Sequence, residues 1–300
     1  MLVPPETVVL AGGGARMISQ LGALRAIQRS GHLKNVKRII GTSAGAVLGT
    51  ALALGRDLDE VFLSHVHHRK WSPDVDLSAL TTRYGLDSGL DLTAWIREIM
   101  GGRKWTFAAL KKRRGVSLEV VATNLSKGQA VYFGPDTSPD MDIGLALRMS
   151  CSIPFFFASV LHPDSSSSTS TSTSTSSSST SSTSSVYVDG AITDNFPLQH
   201  ALQTCAPELV LGIKAEGSPA TTVNTLRAFA GVLTDLLTRT AEVKGVRTFC
   251  VRPCEAVACG VTDFTSLTAD ARLKLFLHGV RQAEDWLASR EPQDSSGGEG

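Results

Sequence analysis

Two apolar, β-branched runs in the first sixty residues each end at a glycine cluster and are followed by a helical pattern. Thr7–Ala11 precedes Gly12–Gly14, and Val36–Ile40 precedes the turn Gly41–Gly45. From Ile18 onward apolar residues recur at helical spacing, and a helix of small residues follows the second turn. Because alternating strands and helices pack as a parallel sheet covered by helices, this start predicts an α/β fold with a central, mostly parallel sheet.

The rest of the chain continues the alternation of strand and helix patterns. Helices are predicted at Leu58–Val66, Leu92–Met100, Ile143–Cys151, Thr222–Glu242 and Ala269–Arg290. Strands and extended segments are predicted at Ser117–Asn124, Ala130–Phe133, Phe155–Leu161, Val186–Val188, Leu209–Lys214 and Val246–Val251. No linker separates independent sets of elements, so we expect one domain.

Residues 165–185 are a tract of 21 serines and threonines inside this domain. Ordering the tract would cost conformational entropy, and it has no apolar side chain to bury in return. We therefore expect a disordered surface loop, with an array of modification sites as the alternative. The polar segment 291–300 is expected to be a flexible tail.

Composition narrows the class of protein further. Hydrophobic residues make up 42% of the chain, which is enough for a packed core. The 29 basic and 28 acidic side chains leave a net charge of +1, which creates no overall field for nucleic acid. Five cysteines are too few for a disulfide framework and favour a reducing compartment. The start lacks the pattern of a secretory signal, so we expect a cytoplasmic protein.

The second glycine turn, Gly41-Thr42-Ser43-Ala44-Gly45, fits the G-x-S-x-G pattern of a nucleophile elbow. A strand precedes the turn and a helix follows it, which is the context that this elbow requires. Small residues at Gly41, Ala44 and Gly45 permit a sharp turn. Ser43 would then lie at a helix N-terminus, where N–H groups favour developing negative charge. The alternative is a plain strand–helix joint with an idle serine.

The first glycine cluster, Gly12-Gly13-Gly14-Ala15-Arg16, directly follows the first strand. Binding of a nucleotide is disfavoured, because Met17 occupies the place of the last glycine in G-x-G-x-x-G and the chain contains no P-loop motif. An oxyanion hole fits better, since glycines leave backbone N–H groups accessible to a substrate. A plain tight turn is the alternative.

A carboxylate follows the predicted strand Val186–Val188, in the motif Asp189-Gly190-Ala191. At the end of a strand, this carboxylate would face a site at the carboxyl edge of the sheet. Asp-Gly is also a common turn signal, so a plain turn is the alternative.

Together and in this order, the three motifs resemble those of the patatin-like phospholipases, a family of lipid acyl hydrolases. Supporting stretches are Val121–Leu125 (VATNL), Ser150–Phe157 (SCSIPFFF) and Tyr187–Pro197 (YVDGAITDNFP). The resemblance spans about residues 5–289 apart from the serine and threonine tract. It implies a three-layer α/β/α domain and a hydrolase of carboxylic esters, such as those of glycerophospholipids, that needs no metal and no cofactor.

The resemblance also implies roles for individual residues. Ser43 would be the nucleophile and Asp189 the base of a catalytic dyad without histidine. An ordinary aspartate, with a pKa of about 3.9, is a weak base, and desolvation of Asp189 would make it a stronger one. The resemblance assigns the oxyanion hole to Gly12, Gly13 and Gly14. It assigns supporting roles to Arg16, Gly41, Gly45 and Gly190.

One position departs from the family pattern, because Met17 stands where the family usually has glycine. A required positive φ at this position would distort the oxyanion loop. We favour a position in the first turn of the following helix, where methionine is tolerated. The corresponding alternative is a lipid-binding protein with a crippled site.

Histidines offer an alternative mechanism, a soluble esterase with a Ser-His-Asp triad. The candidates are His200 and His278, both of which we expect to have surface or structural roles on helices. The cluster His65, His67 and His68 does not place three ligands on one helical face, so we expect a solvated face or a lid segment there.

The cysteines Cys250, Cys254 and Cys259 have no fourth ligand close in sequence. We therefore predict buried or idle thiols there rather than a zinc site. No metal site is expected elsewhere in the chain.

Basic side chains cluster between Arg103 and Arg114, beside Trp105 and Phe107. One interpretation is a solvated helix face. The other is peripheral docking to anionic lipid headgroups, with an aromatic side chain at the interface.

Overall fold

A computed structural model describes residues 3–67, 77–163, 184–217, 243–263 and 266–290, with four single positions between 232 and 240. The strands are β1 (Thr7–Leu10), β2 (Arg38–Thr42), β3 (Gly85–Asp87), β4 (Ser117–Asn124), β5 (Gln129–Phe133), β6 (Phe155–Phe157), β7 (Val160–Pro163), β8 (Ser184–Asp189), β9 (Val210–Ala215) and β10 (Arg247–Val251). The helices are α1 (Met17–Arg29), α2 (Ala44–Ala53), α3 (Leu58–His67), α4 (Leu77–Arg83), α5 (Leu90–Ile99), α6 (Phe107–Arg114), α7 (Ile143–Ser150), α8 (Ala191–Asp194), α9 (Leu198–Leu202) and α10 (Ala269–Ala288).

The central sheet has the strand order β10-β9-β1-β2-β4-β8-β7, and β5 also pairs with β4. The five strands from β10 to β4 are parallel to one another. The strands β5, β8 and β7 are added in antiparallel pairs at one end. The mostly parallel sheet predicted from the sequence is therefore confirmed.

Helices cover both faces of this sheet. Successive residues of a strand face opposite sides of the sheet, so each strand packs against both layers of helices. Val8 and Leu10 of β1 belong to a large core cluster with residues of α1, α2, α5, α7 and α10. Val9, between them, packs in a second cluster with Phe196 and Leu198 next to α9. The arrangement is the three-layer α/β/α domain that the sequence predicts.

The helices α1 and α10 approach each other unusually closely at two glycines. A Cβ on Gly22 of α1 would overlap the carbonyl oxygen of Phe276, and one on Gly279 of α10 would overlap that of Ser19. Each helix thus uses a missing side chain to admit the backbone of the other, which fixes the position of α1 over the sheet.

Several elements differ from the sequence prediction. Ser184 and Ser185, assigned to a disordered loop, begin β8 and pair with Pro163 and His162. They are ordered because an antiparallel strand supplies their backbone hydrogen bonds. The predicted extended run Phe155–Leu161 is split into β6 and β7, and β6 pairs with β3 in a separate two-stranded sheet.

Other predictions fall on residues outside the described part of the chain. These are most of the helix at 222–242, most of the serine and threonine loop, and the tail 291–300. Among the helices that are described, none combines the length and the apolar composition needed to span a bilayer.

Candidate active site

Ser43 lies in the sharp turn between β2 and α2, with φ 53° and ψ −127°. A non-glycine residue with positive φ is strained, and such strain is characteristic of functional turns. A Cβ on Gly41 would lie 2.5 Å from the Cα atom of Ala46, and one on Gly45 would overlap the carbonyl oxygen of Leu10. Glycine is therefore required on both sides of Ser43, as the G-x-S-x-G pattern predicts.

Ser43 and Asp189 are in direct contact, although 146 positions separate them in the sequence. The Ser43 hydroxyl donates a hydrogen bond of 2.7 Å to Oδ2 of Asp189. Oδ1 of Asp189 accepts a hydrogen bond of 2.9 Å from the N–H of Ala191. Both side chains are buried, with 4% of Ser43 and 3% of Asp189 exposed.

Burial raises the pKa of Asp189 to about 7, because desolvation penalises its charged form. The hydrogen bonds from Ser43 and from the Ala191 N–H act in the opposite direction and lower this pKa. The carboxylate is consequently a much better proton acceptor than an ordinary aspartate while still ionising near neutral pH.

A short segment at the end of α7 holds both members of this pair. The N–H of Ser43 donates to Oγ of Ser150 at 2.8 Å, and that hydroxyl donates to the carbonyl of Val121 at 2.5 Å. The carbonyl of Ser152 accepts the N–H of Asp189 at 2.9 Å. This stretch is one of those that resemble the family, but the sequence pattern did not predict its role. The two serines that flank Cys151 were the available signal.

The glycine-rich loop lies beside the pair, but its three glycines are not equivalent. The N–H of Gly12 donates to the carbonyl of Asn195 at 3.1 Å. Within the described residues, the N–H groups of Gly13 and Gly14 have no intramolecular acceptor. These glycines line a small cavity together with Ser43 and Asp189. The N–H of Gly12 is thus already engaged by Asn195, and the roles of the three glycines as oxyanion donors remain a prediction.

The other residues expected to support the site are close to it. Nε of Arg16 donates to the carbonyl of Gly13 at 3.2 Å, which ties the side chain to the glycine loop. A Cβ on Gly190 would overlap the carbonyl oxygen of Val121, so the residue after Asp189 must be glycine. Gly14 has a φ of 54°, in the left-handed region that glycine favours.

Met17 begins helix α1 with φ −52° and ψ −23°, an ordinary right-handed conformation. The backbone at this position therefore does not require glycine. This agrees with the expected place of Met17 in the first turn of the helix. The side chain is 2% exposed, and Met17 lines an apolar cavity that also borders Ser43.

The two histidines considered for a triad have other partners. Nε2 of His200 lies 2.7 Å from Glu119, and its ring stacks on Tyr132 with centroids 3.8 Å apart. Nε2 of His278 lies 3.1 Å from the carbonyl of Arg252. Neither histidine is hydrogen-bonded to Ser43 or Asp189 in the described structure, so the alternative triad is not assembled.

The prediction that the histidine cluster lies on a solvated face is wrong for His65. This side chain is buried beside Trp95, with ring centroids 5.4 Å apart, and the carbonyl of His65 accepts a hydrogen bond from Arg272. It is buried because α3 packs against α10 on that side. The side chain of His67 and the whole of His68 lie outside the described residues.

The five cysteines are free thiols, and Cys259 is buried while Cys250 and Cys254 are half-buried. Burial raises the pKa of the Cys250 thiol to about 12, which keeps it protonated. In the described part of the chain, no group of three potential metal-ligating side chains comes together.

Parts of the basic stretch are used within the fold. Arg114 donates to the carbonyl of Leu54 at the end of α2, and Lys111 forms an ion pair of 3.2 Å with Asp136. The guanidinium of Arg113 lies 5.7 Å from the ring centroid of Trp105. A surface cavity of about 270 Å³ is lined by three arginines and Trp105; the arginines are Arg56, Arg103 and Arg114.

Comparison with known proteins places the chain in a family. The sequence model of the patatin-like phospholipases matches residues 8–202, which is more than half of the chain. The chain therefore belongs to the patatin-like phospholipase family, as its three motifs predict.

Two relatives illustrate the degree of similarity. A protein of Invertebrate iridescent virus 6 described as a probable lipid hydrolase is 25% identical over 208 residues, which cover 66% of this chain and 63% of that protein. The uncharacterized protein YqhO of Bacillus subtilis (strain 168) is 28% identical over 209 residues, which cover 63% of this chain and 64% of that protein. The matched region is thus less than two thirds of each relative.

The fold also resembles that in the crystal structure of VipD from Legionella pneumophila. The TM-score is 0.58 at 17% sequence identity, and the match covers 96% of this chain and 67% of that one. At this level of identity the likeness concerns the fold alone, and it agrees with the predicted fold class.

Proposed function

We propose that the protein is a lipid acyl hydrolase that cleaves carboxylic esters of glycerophospholipids through a Ser43–Asp189 dyad. The observation that carries this proposal is the buried hydrogen bond of 2.7 Å from the Ser43 hydroxyl to a carboxylate whose pKa is raised to about 7. A serine and a base in hydrogen-bond contact are the elements of nucleophilic catalysis.

In the proposed first half-reaction, Asp189 accepts the hydroxyl proton while Oγ of Ser43 bonds to the ester carbonyl carbon. The carbonyl oxygen becomes an oxyanion, and the N–H groups of Gly13 and Gly14, which have no acceptor among the described residues, are suited to bind it. A single oxyanion donor can contribute roughly 3–4 kcal/mol. The bond to the alcohol then breaks, and the alcohol leaves with the proton held by Asp189, so that an acyl-enzyme remains.

In the second half-reaction, water attacks the acyl carbon and Asp189 accepts the proton of that water. The acyl–Oγ bond breaks, the carboxylic acid leaves, and the proton returns to Oγ of Ser43. Proton transfers in both halves thus use one carboxyl group, and the dyad ends in its starting state. The products from a phospholipid are a fatty acid and a lysophospholipid.

Binding at a membrane surface is the proposed context for this reaction. The exposed Lys112 and Arg113 and the arginine-lined cavity offer positive charge for anionic headgroups. Arg114 bonds to the carboxyl end of α2, whereas Ser43 precedes its amino end, and ten helical residues span about 15 Å. The basic surface is therefore suited to anchoring the protein rather than to admitting the ester.

The function is tested by acyl release from mixed phospholipid vesicles, with products identified by mass. Wild-type protein is expected to release fatty acid, and folded Ser43→Ala and Asp189→Asn are each expected to lose nearly all of this activity. Full activity in either variant, or release of headgroup alone, would contradict the proposal.

The anchoring role is tested by vesicle sedimentation at low salt. Lys112→Gln combined with Arg113→Gln should weaken binding to anionic vesicles, while Arg114 is kept because it caps α2. The matched control removes two charges elsewhere, Lys34→Gln and Lys244→Gln. Equal vesicle binding by both double variants would refute the anchoring role of Lys112 and Arg113.

A further inference from the structure

A second cavity adjoins Ser43, and its walls are almost entirely apolar. It is lined by side chains of α1, α2, α5 and β6, among them Met17, Val47, Trp95 and Phe157. The first cavity has a volume of about 10 Å³ and is lined by Asp189 and the glycine loop, so its walls suit polar atoms of an ester rather than a hydrocarbon chain. The apolar cavity is therefore the place beside Ser43 for the hydrocarbon part of an acyl group.

This apolar cavity is small. Its volume is about 20 Å³, and a water-sized group needs roughly 10–15 Å³ on the same measure. About one small group therefore fits without rearrangement. A longer chain requires one of the lining side chains to move.

The backbone that carries Met17 is fixed. Met17 is the first residue of α1, and α1 is in close backbone contact with α10 at Gly22 and Gly279. Since α1 cannot recede without breaking that contact, only the side chain of Met17 can yield on this wall. Methionine is unbranched and has three rotatable bonds, which makes it the most adaptable of the lining residues.

We propose that Met17 sets the acyl-chain length of this enzyme by closing the apolar cavity beside Ser43, so that short acyl chains react faster than long ones. The proposal rests on the proposed function and specifies its substrate class. Shortening the side chain by Met17→Ala removes three heavy atoms from the wall. That is room for about three further methylene groups, each worth roughly fourfold in kcat/KM when it is buried.

The test uses p-nitrophenyl esters with acyl chains from acetate to dodecanoate, at concentrations below micelle formation. Wild-type protein should show its highest kcat/KM with the shortest chains. Met17→Ala should raise the ratio of octanoate to acetate hydrolysis at least tenfold, whereas Met17→Leu, of similar size, should retain the wild-type ratio. If Met17→Ala does not fold, Met17→Val also shortens the side chain and should shift the ratio in the same direction.

A matched control separates opening of the cavity from general loosening of the helix. Leu24 is fully buried on α1 and does not line the cavity, so Leu24→Ala should lower the melting temperature without changing the ratio. An unchanged ratio in Met17→Ala, with acetate still hydrolysed by wild type, would overturn the chain-length proposal and leave the proposed function standing. No hydrolysis of any ester by folded wild-type protein would overturn both.

Discussion

The raised pKa of Asp189 makes the reaction rate depend on pH in a defined way. In the proposed mechanism Asp189 accepts a proton from Ser43, which requires an ionised carboxylate, and burial raises the pKa of Asp189 from an ordinary value of 3.8 to about 7. The kcat/KM of the free enzyme should therefore rise with pH and level off above neutrality. Relative to that plateau, it should be about tenfold lower at pH 6 and about a hundredfold lower at pH 5.

The same shift makes the folded state less stable as pH rises. Between about pH 4 and pH 7 the folded protein holds a proton on Asp189 that the unfolded chain has already lost. Stability attributable to this group is thus present below pH 4 and lost as pH rises through 7, a total of about 4 kcal/mol. Asp189→Asn has no charge to bury, so from pH 4.5 to pH 8 its free energy of unfolding should rise relative to that of wild type by about 3 kcal/mol.

Two measurements check this reasoning. The first is the pH profile of kcat/KM for a water-soluble ester, and the second is urea unfolding of wild type and Asp189→Asn at pH 4.5 and 8. Asp194 is the matched control, because burial also raises its pKa but it bonds to Tyr132 instead of Ser43. Asp194→Asn should retain the inflection near 7. A wild-type inflection below pH 5, or an equal stability difference at both pH values, would refute the account.

Three further predictions concern the surroundings of the dyad. Ser150→Ala leaves the buried N–H of Ser43 without its acceptor. An unsatisfied buried donor costs about 1–3 kcal/mol, so in steady-state assays kcat should fall about tenfold while KM changes little. Gly279→Ala places a methyl group on the carbonyl oxygen of Ser19 and should lower the free energy of unfolding by about 3 kcal/mol in urea titrations. His200→Gln should keep ester hydrolysis within about twofold of wild type, since this ring contacts neither catalytic residue. A hundredfold loss of ester hydrolysis in His200→Gln would instead support the Ser-His-Asp triad.

The sequence predicted the layers of the fold and the residues that meet at the site because both depend on local patterns. The runs that end at Gly12–Gly14 and Gly41–Gly45 are strands followed by helices, and Asp189 ends a strand of the same sheet. β8 runs antiparallel to β4, and its last residue, Asp189, lies opposite Ala122, next to the residue of β4 that pairs with Thr42. The motifs therefore indicated which two residues meet, whereas the antiparallel pairing that brings them together depends on tertiary structure.

Features that depend on tertiary partners were not predictable in the same way. The acceptor for the Ser43 N–H is Ser150, from an element more than a hundred positions away. The N–H of Gly12 donates to the carbonyl of Asn195, and no spacing pattern in the sequence predicts this hydrogen bond. The short strands β3 and β6 exist only because they pair with each other. His65 appeared to belong to an exposed cluster because packing of α3 against α10 leaves no local signal.

The central claim is that Ser43 is the nucleophile that receives the acyl group. The most direct test is reaction with an alkyl fluorophosphonate, in which the serine oxygen displaces fluoride, followed by peptide mass analysis. If Ser43 is the nucleophile, one adduct per chain is expected on the peptide containing Ser43, and this adduct should be absent from Ser43→Ala and slow to form at pH 5. An adduct on a different residue, or ester hydrolysis that persists after Ser43 is fully modified, would contradict it.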